Sequence, residues 1–119
     1  MDIQKIQQSA INVRNLILDL TYSAGKLGVH VGSALSVVDI LAVLYSGKIL
    51  HYDVVHPDFE GRDFFILSKG HAYAALYAML CECGFVSKEE LFNKLKSTLY
   101  VLDKQSYEFW NDLFTYFSK

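Results

Sequence analysis

The sequence predicts an α/β chain, mostly helical in this stretch, with one recognisable strand at about Phe64–Leu67. Three observations carry that expectation. Apolar residues recur at alternating spacings of three and four across the N-terminal region, the pattern of a helix with one apolar stripe. Phe64-Phe65-Ile66-Leu67 is a short β-prone run bounded by Arg62-Asp63 and Ser68-Lys69-Gly70, as expected of a strand covered on both faces. Immediately after Gly70 the apolar spacing becomes helical again, so the implied unit is strand, tight turn, helix.

Taken in order, Ile3, Ile6, Ala10, Val13, Ile17, Leu20 and Ala24 define a first helix from about Asp2 to Ala24, ended by Gly25 and Gly28. Core packing is the expected use of this seam, with a coiled-coil partner as the alternative, because the pattern lasts only about three heptads. Gly25 to Ser36 holds three glycines and several small or hydroxyl residues, suiting a loop whose backbone comes close to something. Ser36 with Asp39 reads as a capping box opening a buried helix from Val37 to about Tyr45, through Val38, Ile40, Leu41, Val43 and Leu44. His51 to Arg62 contains the single proline, Pro57, and reads as a connection before the strand. Beyond Gly70, Ala72, Ala75, Leu76, Met79 and Leu80 line one face of a helix that ends near Gly84. Ser87-Lys88-Glu89-Glu90 is a second capping box, followed by Leu91, Phe92, Leu95 and Leu99 at helical spacing. The remaining stretch, with Tyr107, Trp110, Leu113, Phe114 and Phe117, reads as a terminal amphipathic helix that packs back or meets a partner. No repeat, low-complexity tract or linker interrupts the chain.

With 119 residues, 52% of them hydrophobic, the chain has the size of one globular domain. Folding at that length buries roughly 65% of the unfolded surface, enough for a core without metal or disulfides. Net charge is −2 and Lys and Arg are dispersed, which argues against nucleic acid and against a polybasic membrane patch, and leaves small or phosphorylated ligands. The N-terminus lacks the basic and apolar regions of a signal peptide, and no apolar run reaches the ~20 residues of a spanning helix, so a cytoplasmic location is expected. Cys81 and Cys83, two residues apart on a helix, point to nearly opposite faces and are expected as reduced thiols.

Beyond the carboxyl end of a strand in a parallel sheet, the next helix turns its free N–H groups and partial positive charge toward a ligand. Ser68 to His71 falls at that place. A phosphate there could accept bonds from the amides around Gly70 and a side-chain bond from His71; the alternative is a surface turn with a capping Ser68 and an incidental His71. His30, 41 positions earlier in the glycine-bearing loop, is the second candidate, because imidazole can hydrogen-bond a phosphate or move a proton near neutral pH. Two histidines without a third ligand support no metal site. His51 and His56 lie in the polar connection and are given no chemical role. Fingerprints of P-loop, serine-hydrolase, zinc-protease and dinucleotide sites are absent.

Several segments, in order and spacing, resemble the N-terminal section of transketolases. Ala24-Gly25 through His30, then Gly32-Ser33-Ala34-Leu35-Ser36-Val37-Val38-Asp39-Ile40-Leu41, resembles the family's S-G-H-P-G-x-x-x-S-x-x-D-I-L segment. Arg62-Asp63-Phe64-Phe65-Ile66-Leu67-Ser68-Lys69-Gly70-His71-Ala72 resembles its R-D-R-F-x-L-S-x-G-H-A signature, and Gly84-Phe85 with Lys88-Glu89-Glu90-Leu91 resembles the following helix. The resemblance covers about residues 6 to 93. It implies a partial thiamine diphosphate-binding fold over 1–93 and a divergent, helical tail over 94–119. It further implies a thiamine diphosphate enzyme that moves a two-carbon ketol unit between sugar phosphates, dimeric, with the cofactor at the interface. By position, His71, with Gly70 and Ser68, would bind the cofactor diphosphate, and His30 would assist proton movement near cofactor and substrate.

The sequence departs from the family at His30-Val31-Gly32, where the family has His-Pro-Gly, and at Val29, where it has Gly. After Asn93 the family's second G-H-P segment, its G-P-L-G-Q-G turn and the G-D-G and Asn motif that holds Mg²⁺ and diphosphate do not follow, nor does the later-domain glutamate that activates the aminopyrimidine. The implied Mg²⁺ ligands therefore do not belong to this chain. The expected function is a transketolase-like fragment inactive alone. The alternatives are an N-terminal member of a split transketolase completed by complementary chains, and a non-catalytic module that binds a partner or self-associates.

Overall fold

The computed structural model describes residues 1–25 and 29–93. Gly28, the end of the second capped helix at Leu95 and Leu99, and the expected helical tail over 94–119 lie outside the described residues. Four helices and one 3₁₀ turn have both ends described: α1 (Ile3–Ala24), α2 (Val31–Ser36), α3 (Val38–Tyr45), the turn Gly70–Ala72, and α4 (Tyr73–Glu82). A fifth, α5, is helical from 88 to 93.

α1 follows its sequence pattern. Asp2 takes the N-cap, its Oδ1 accepting the Lys5 N–H at 3.2 Å, and Gly25, at φ 58°, closes the other end with its N–H on the Tyr22 carbonyl. The expected seam faces the core: Ile6, Ala10, Val13, Ile17 and Leu20 are buried together with Leu16, while Ile3 is exposed. Core packing is thus the use of this stripe. Ile11, Leu18 and Tyr22 fall on the opposite side of the same helix and are exposed, so α1 carries apolar side chains on both faces.

Against that seam pack α3, through Val38, Leu41, Ala42 and Tyr45, and α4, through Ala74, Ala75, Ala78 and Met79. Three fully buried alanines on α4 leave no side-chain bulk between backbones, so larger residues of α1 and α3 fill the space. α4 ends as expected at Gly84, φ 94°. The Gly84 N–H donates to the Cys81 carbonyl (3.0 Å) and the Phe85 N–H to the Leu80 carbonyl (2.9 Å), the two bonds of a Schellman cap. Ser87 caps α5, its Oγ accepting the Glu90 N–H at 3.1 Å.

Under this junction Tyr52 ties the connection to both helices. Its hydroxyl donates to the Tyr45 carbonyl (2.9 Å), lies 3.7 Å from Cys83 Sγ and accepts from Lys48 Nζ (3.1 Å). Burial first, then the contact with Cys83, pushes the Tyr52 phenol well above its usual range, so it stays protonated and donates. Cys81 and Cys83 are free, and burial raises both thiols.

Three expectations need correction. The run Phe64–Leu67 forms no strand, and no strand occurs among the described residues. It keeps a strand's alternation: Phe65 packs edge-on against Tyr45 with centroids 5.9 Å apart, whereas Phe64 and Ile66 are 76% and 87% exposed. A strand is a paired structure, and among the described residues no segment forms a ladder with this one. The expected cover on both faces is therefore present on one face only.

Second, the glycine-bearing segment is not a loop as far as Ser36, because its last six residues form α2. Ser36 does not cap α3; its hydroxyl donates back to the Ser33 carbonyl (2.8 Å), and Val37 (φ −105°, ψ 0°) makes the break between α2 and α3 without a side-chain cap. The hydroxyl is engaged within its own helix, which removes it from Asp39. Third, α3 is not buried all round. Ile40 is 60% exposed and, with Asp39, Val43 and Leu44, lines an open apolar depression.

Gly47 follows α3 where a Cβ would collide with the Val43 carbonyl and press on Ile6 of α1. Two outcomes are expected in urea unfolding followed by circular dichroism. Ile17→Ala, at a fully buried site, lowers stability by about 2–5 kcal/mol with an unchanged m value. Gly47→Ala lowers it by about 1–3 kcal/mol because either backbone or Ile6 must shift.

Candidate functional site

His30 and His71 come together. His30 is at the N-cap position of α2, its carbonyl accepting the Ala34 N–H at 2.9 Å. His71 is the middle residue of the 3₁₀ turn that leads into α4, fixed by the Ala72 N–H on the Lys69 carbonyl (3.0 Å) and the Tyr73 N–H on the Gly70 carbonyl. The imidazole centroids lie 4.4 Å apart with planes tilted by 56°, and both rings are exposed. Gly70 is half-buried beneath them and Ser68 is exposed at the head of the turn.

The turn is fastened to α2 by Lys69, which no sequence argument singled out. Its Nζ donates to Ser36 Oγ at 2.7 Å and lies 3.4 Å from the Ser33 carbonyl. Lys69 stands inside the Ser68–His71 signature, but no spacing could reveal that its charge reaches a residue 33 positions earlier.

Upstream, the 51–63 connection is cinched at its base. The His51 N–H donates to Asp63 Oδ2 (2.7 Å), the Asp63 N–H returns a bond to the His51 carbonyl (2.8 Å), and His51 Nδ1 lies 2.8 Å from the same carboxylate oxygen. The His51 backbone amide first, then its imidazole, holds the Asp63 carboxyl below the usual range. Within the loop, Arg62 donates to the Asp58 and Phe59 carbonyls and lies over the Phe64 ring, and His56 faces Asp53 at 3.4 Å. His51 and His56 thus face aspartates of their own loop. A second fastening joins α1 to α3 through Arg14 and Asp39, 2.7 Å apart.

Two exposed imidazoles side by side at the turn put N–H donors on one surface, an arrangement suited to an anion with several oxygens. Among the described residues no group of three or more His, Cys, Asp or Glu could hold a metal ion. No described helix is long and apolar enough to cross a membrane. Surfaces of this class can hold a phosphate through N–H groups.

Comparison with known proteins makes the class specific. The family model for the transketolase thiamine diphosphate binding domain matches residues 6–101, and the chain belongs to that family. It is 41% identical over 87 residues to the 6-deoxy-6-sulfo-D-fructose transketolase subunit SqwG of Clostridium sp. (strain MSTE9), covering 72% of this chain and 30% of that relative. It is 35% identical over 94 residues to human transketolase, covering 79% and 15% of the two chains. With an apulose-4-phosphate transketolase subunit of Phocaeicola vulgatus it shares 34% identity over 89 residues, 75% of this chain and 31% of that relative. The chain thus spans under a third of each of these relatives.

The Asp63 clasp carries a pH signature. A carboxyl depressed in the folded state stabilises above its ordinary pKa of about 3.9 and loses that contribution as pH falls through the lower, folded value. The His51 backbone amide resonance, followed by two-dimensional NMR, should shift with a midpoint below that ordinary value. Asp63→Asn should abolish the transition.

Proposed function

We propose that this chain supplies the diphosphate-facing part of a thiamine diphosphate site for ketol transfer between sugar phosphates, and that it transfers no ketol group without a complementary polypeptide. The observation that carries this reading is the 4.4 Å approach of His30 and His71 across 41 residues of sequence. In the thiamine diphosphate binding domain family, a diphosphate is the anion for which that donor set is suited.

The donors present fit the diphosphate end of the cofactor. His71 would donate to a phosphate oxygen, the amides around Gly70 would accommodate a second, and exposed Ser68 would offer a hydroxyl at the rim. His30, beside His71 yet outside the turn, would move a proton at a substrate oxygen. The described residues do not fit the divalent ion that accompanies a diphosphate, having no cluster of suitable ligands. When bound, thiamine diphosphate supplies the nucleophilic carbon and the electron sink for the ketol group. Metal ligands and the pyrimidine-binding surface are assigned to the complementary chain.

Support for a multi-chain arrangement comes from relatives whose own names describe them as subunits. It comes also from apolar side chains left uncovered on α1 and on the 64–67 segment, which a neighbouring chain would shield. A cytoplasmic setting accords with the free thiols of Cys81 and Cys83 and with sugar phosphate substrates.

Calorimetric titration of thiamine diphosphate with Mg²⁺ tests the proposal. The isolated chain should give no binding heat, and the chain mixed with a complementary transketolase polypeptide should bind. In that assembly His71→Ala should weaken binding by about 10- to 100-fold, the loss of one hydrogen bond to a charged group. Tight binding by the isolated chain would refute the incomplete-site reading.

A further inference from the structure

We infer that Lys69 is the residue that positions His30 against His71, by clamping α2 from its far end. The two-histidine surface is the one assigned under the proposed function, but the clamp itself is a property of the chain without ligand.

Apart from Lys69, α2 is held by Ala34 in the core and half-buried Leu35 against it, and it packs on α1, α4 and the 3₁₀ turn. Six residues are too few to be helical on propensity, since nucleation is costly and few internal bonds form. Neither end is capped by a side-chain bond from its own cap residue, and Ala34 is the one α2 residue that is buried. A short helix with so small a buried face can pivot on that packing, and any pivot carries His30, at its N-cap, across the surface.

Lys69 restrains that pivot. Its ammonium meets Ser36 Oγ at 2.7 Å, and Ser36 Oγ in turn donates to the Ser33 carbonyl. Ser33 to Ser36 contain the last carbonyls of α2, which lie beyond its regular internal bonding, and a cation beside them complements the negative end of the helix dipole. The clamp therefore works as a C-terminal cap delivered from 33 residues away. Because Lys69 is two residues from His71, one short stretch of chain fixes both imidazoles. His71 is held directly through the turn, and His30 indirectly through α2.

Lys69 is thus a positioning residue, and its role is readable before any ligand is added. In full-length chain labelled at histidine, rings 4.4 Å apart should give a nuclear Overhauser cross-peak between their protons. With four histidines in the sequence, His30→Gln and His71→Gln assign it. Lys69→Met should weaken that cross-peak about threefold or more, the change expected from ~1 Å of drift in an unsupported site under an inverse sixth-power distance dependence. Lys69→Arg should restore most of it, and Ser36→Ala, which keeps the lysine and removes its acceptor, should weaken it in the same direction. Amide resonances of α1 and α4 should stay in place in all three variants.

An unchanged cross-peak in Lys69→Met, its absence from the unsubstituted chain, or equal loss in the arginine and methionine variants would overturn the proposal. If Lys69→Met fails to fold, Ser36→Ala decides, and unfolding of both would make Lys69 a general stability element and refute a positioning role. The measurement uses no cofactor, so failure of the thiamine diphosphate reading leaves its outcome intact.

Discussion

Ala74, Ala75 and Ala78 set how closely α1 and α3 approach α4, and much else in the fold depends on that distance. With no side chain beyond Cβ, α4 presents nearly bare backbone, and Val13, Ile17, Leu20, Val38 and Leu41 supply the bulk that fills the junction. A larger residue at any of the three alanines would push the helices apart and, through them, displace the 3₁₀ turn continuous with the start of α4. His71 lies in that turn, so one side chain of the proposed site is positioned by core packing. Its neighbour His30 depends on a polar clamp over a helix with a single buried residue. The two halves of the site are held by different forces and should respond differently to salt, temperature and substitution.

Most helices were legible because their signals are local. The three-and-four spacing of α1, the Gly84 turn and the Ser87 cap each depend on residues within a few positions of one another, and each appears where expected. The corrections share the opposite origin. Whether Phe64–Leu67 becomes a strand depends on a partner segment, and whether Ser36 caps α3 or bonds back into α2 depends on competition for one hydroxyl, in which Lys69 takes part. Neither question can be answered from neighbouring residues. Ile40 shows a third limit: a helix apolar on all sides signals burial of its average residue, not of each one.

For the site, sequence identified the members but not the assembly. His71 and Gly70 were marked by their place after an apolar run, and His30 by a glycine-bearing segment. Their 4.4 Å approach, the Lys69–Ser36 bond and the His51–Asp63 cinch are tertiary facts, each linking residues 12 to 41 positions apart. Family resemblance supplied the chemistry that geometry leaves general. N–H donors on a surface suit many anions, and membership of the thiamine diphosphate binding domain family points to one kind.

Phe64 and Ile66 bear on the life of the molecule outside the test tube. A short β-prone segment with bare apolar side chains, fixed at one end by the His51 cinch and at the other by the Lys69 clamp, is a ready template for other chains. Its nearest flanking charges, Arg62, Asp63 and Lys69, act as gatekeepers that slow stacking of like segments. A copy with nothing over that edge therefore presents the kind of surface on which chaperones and proteases act.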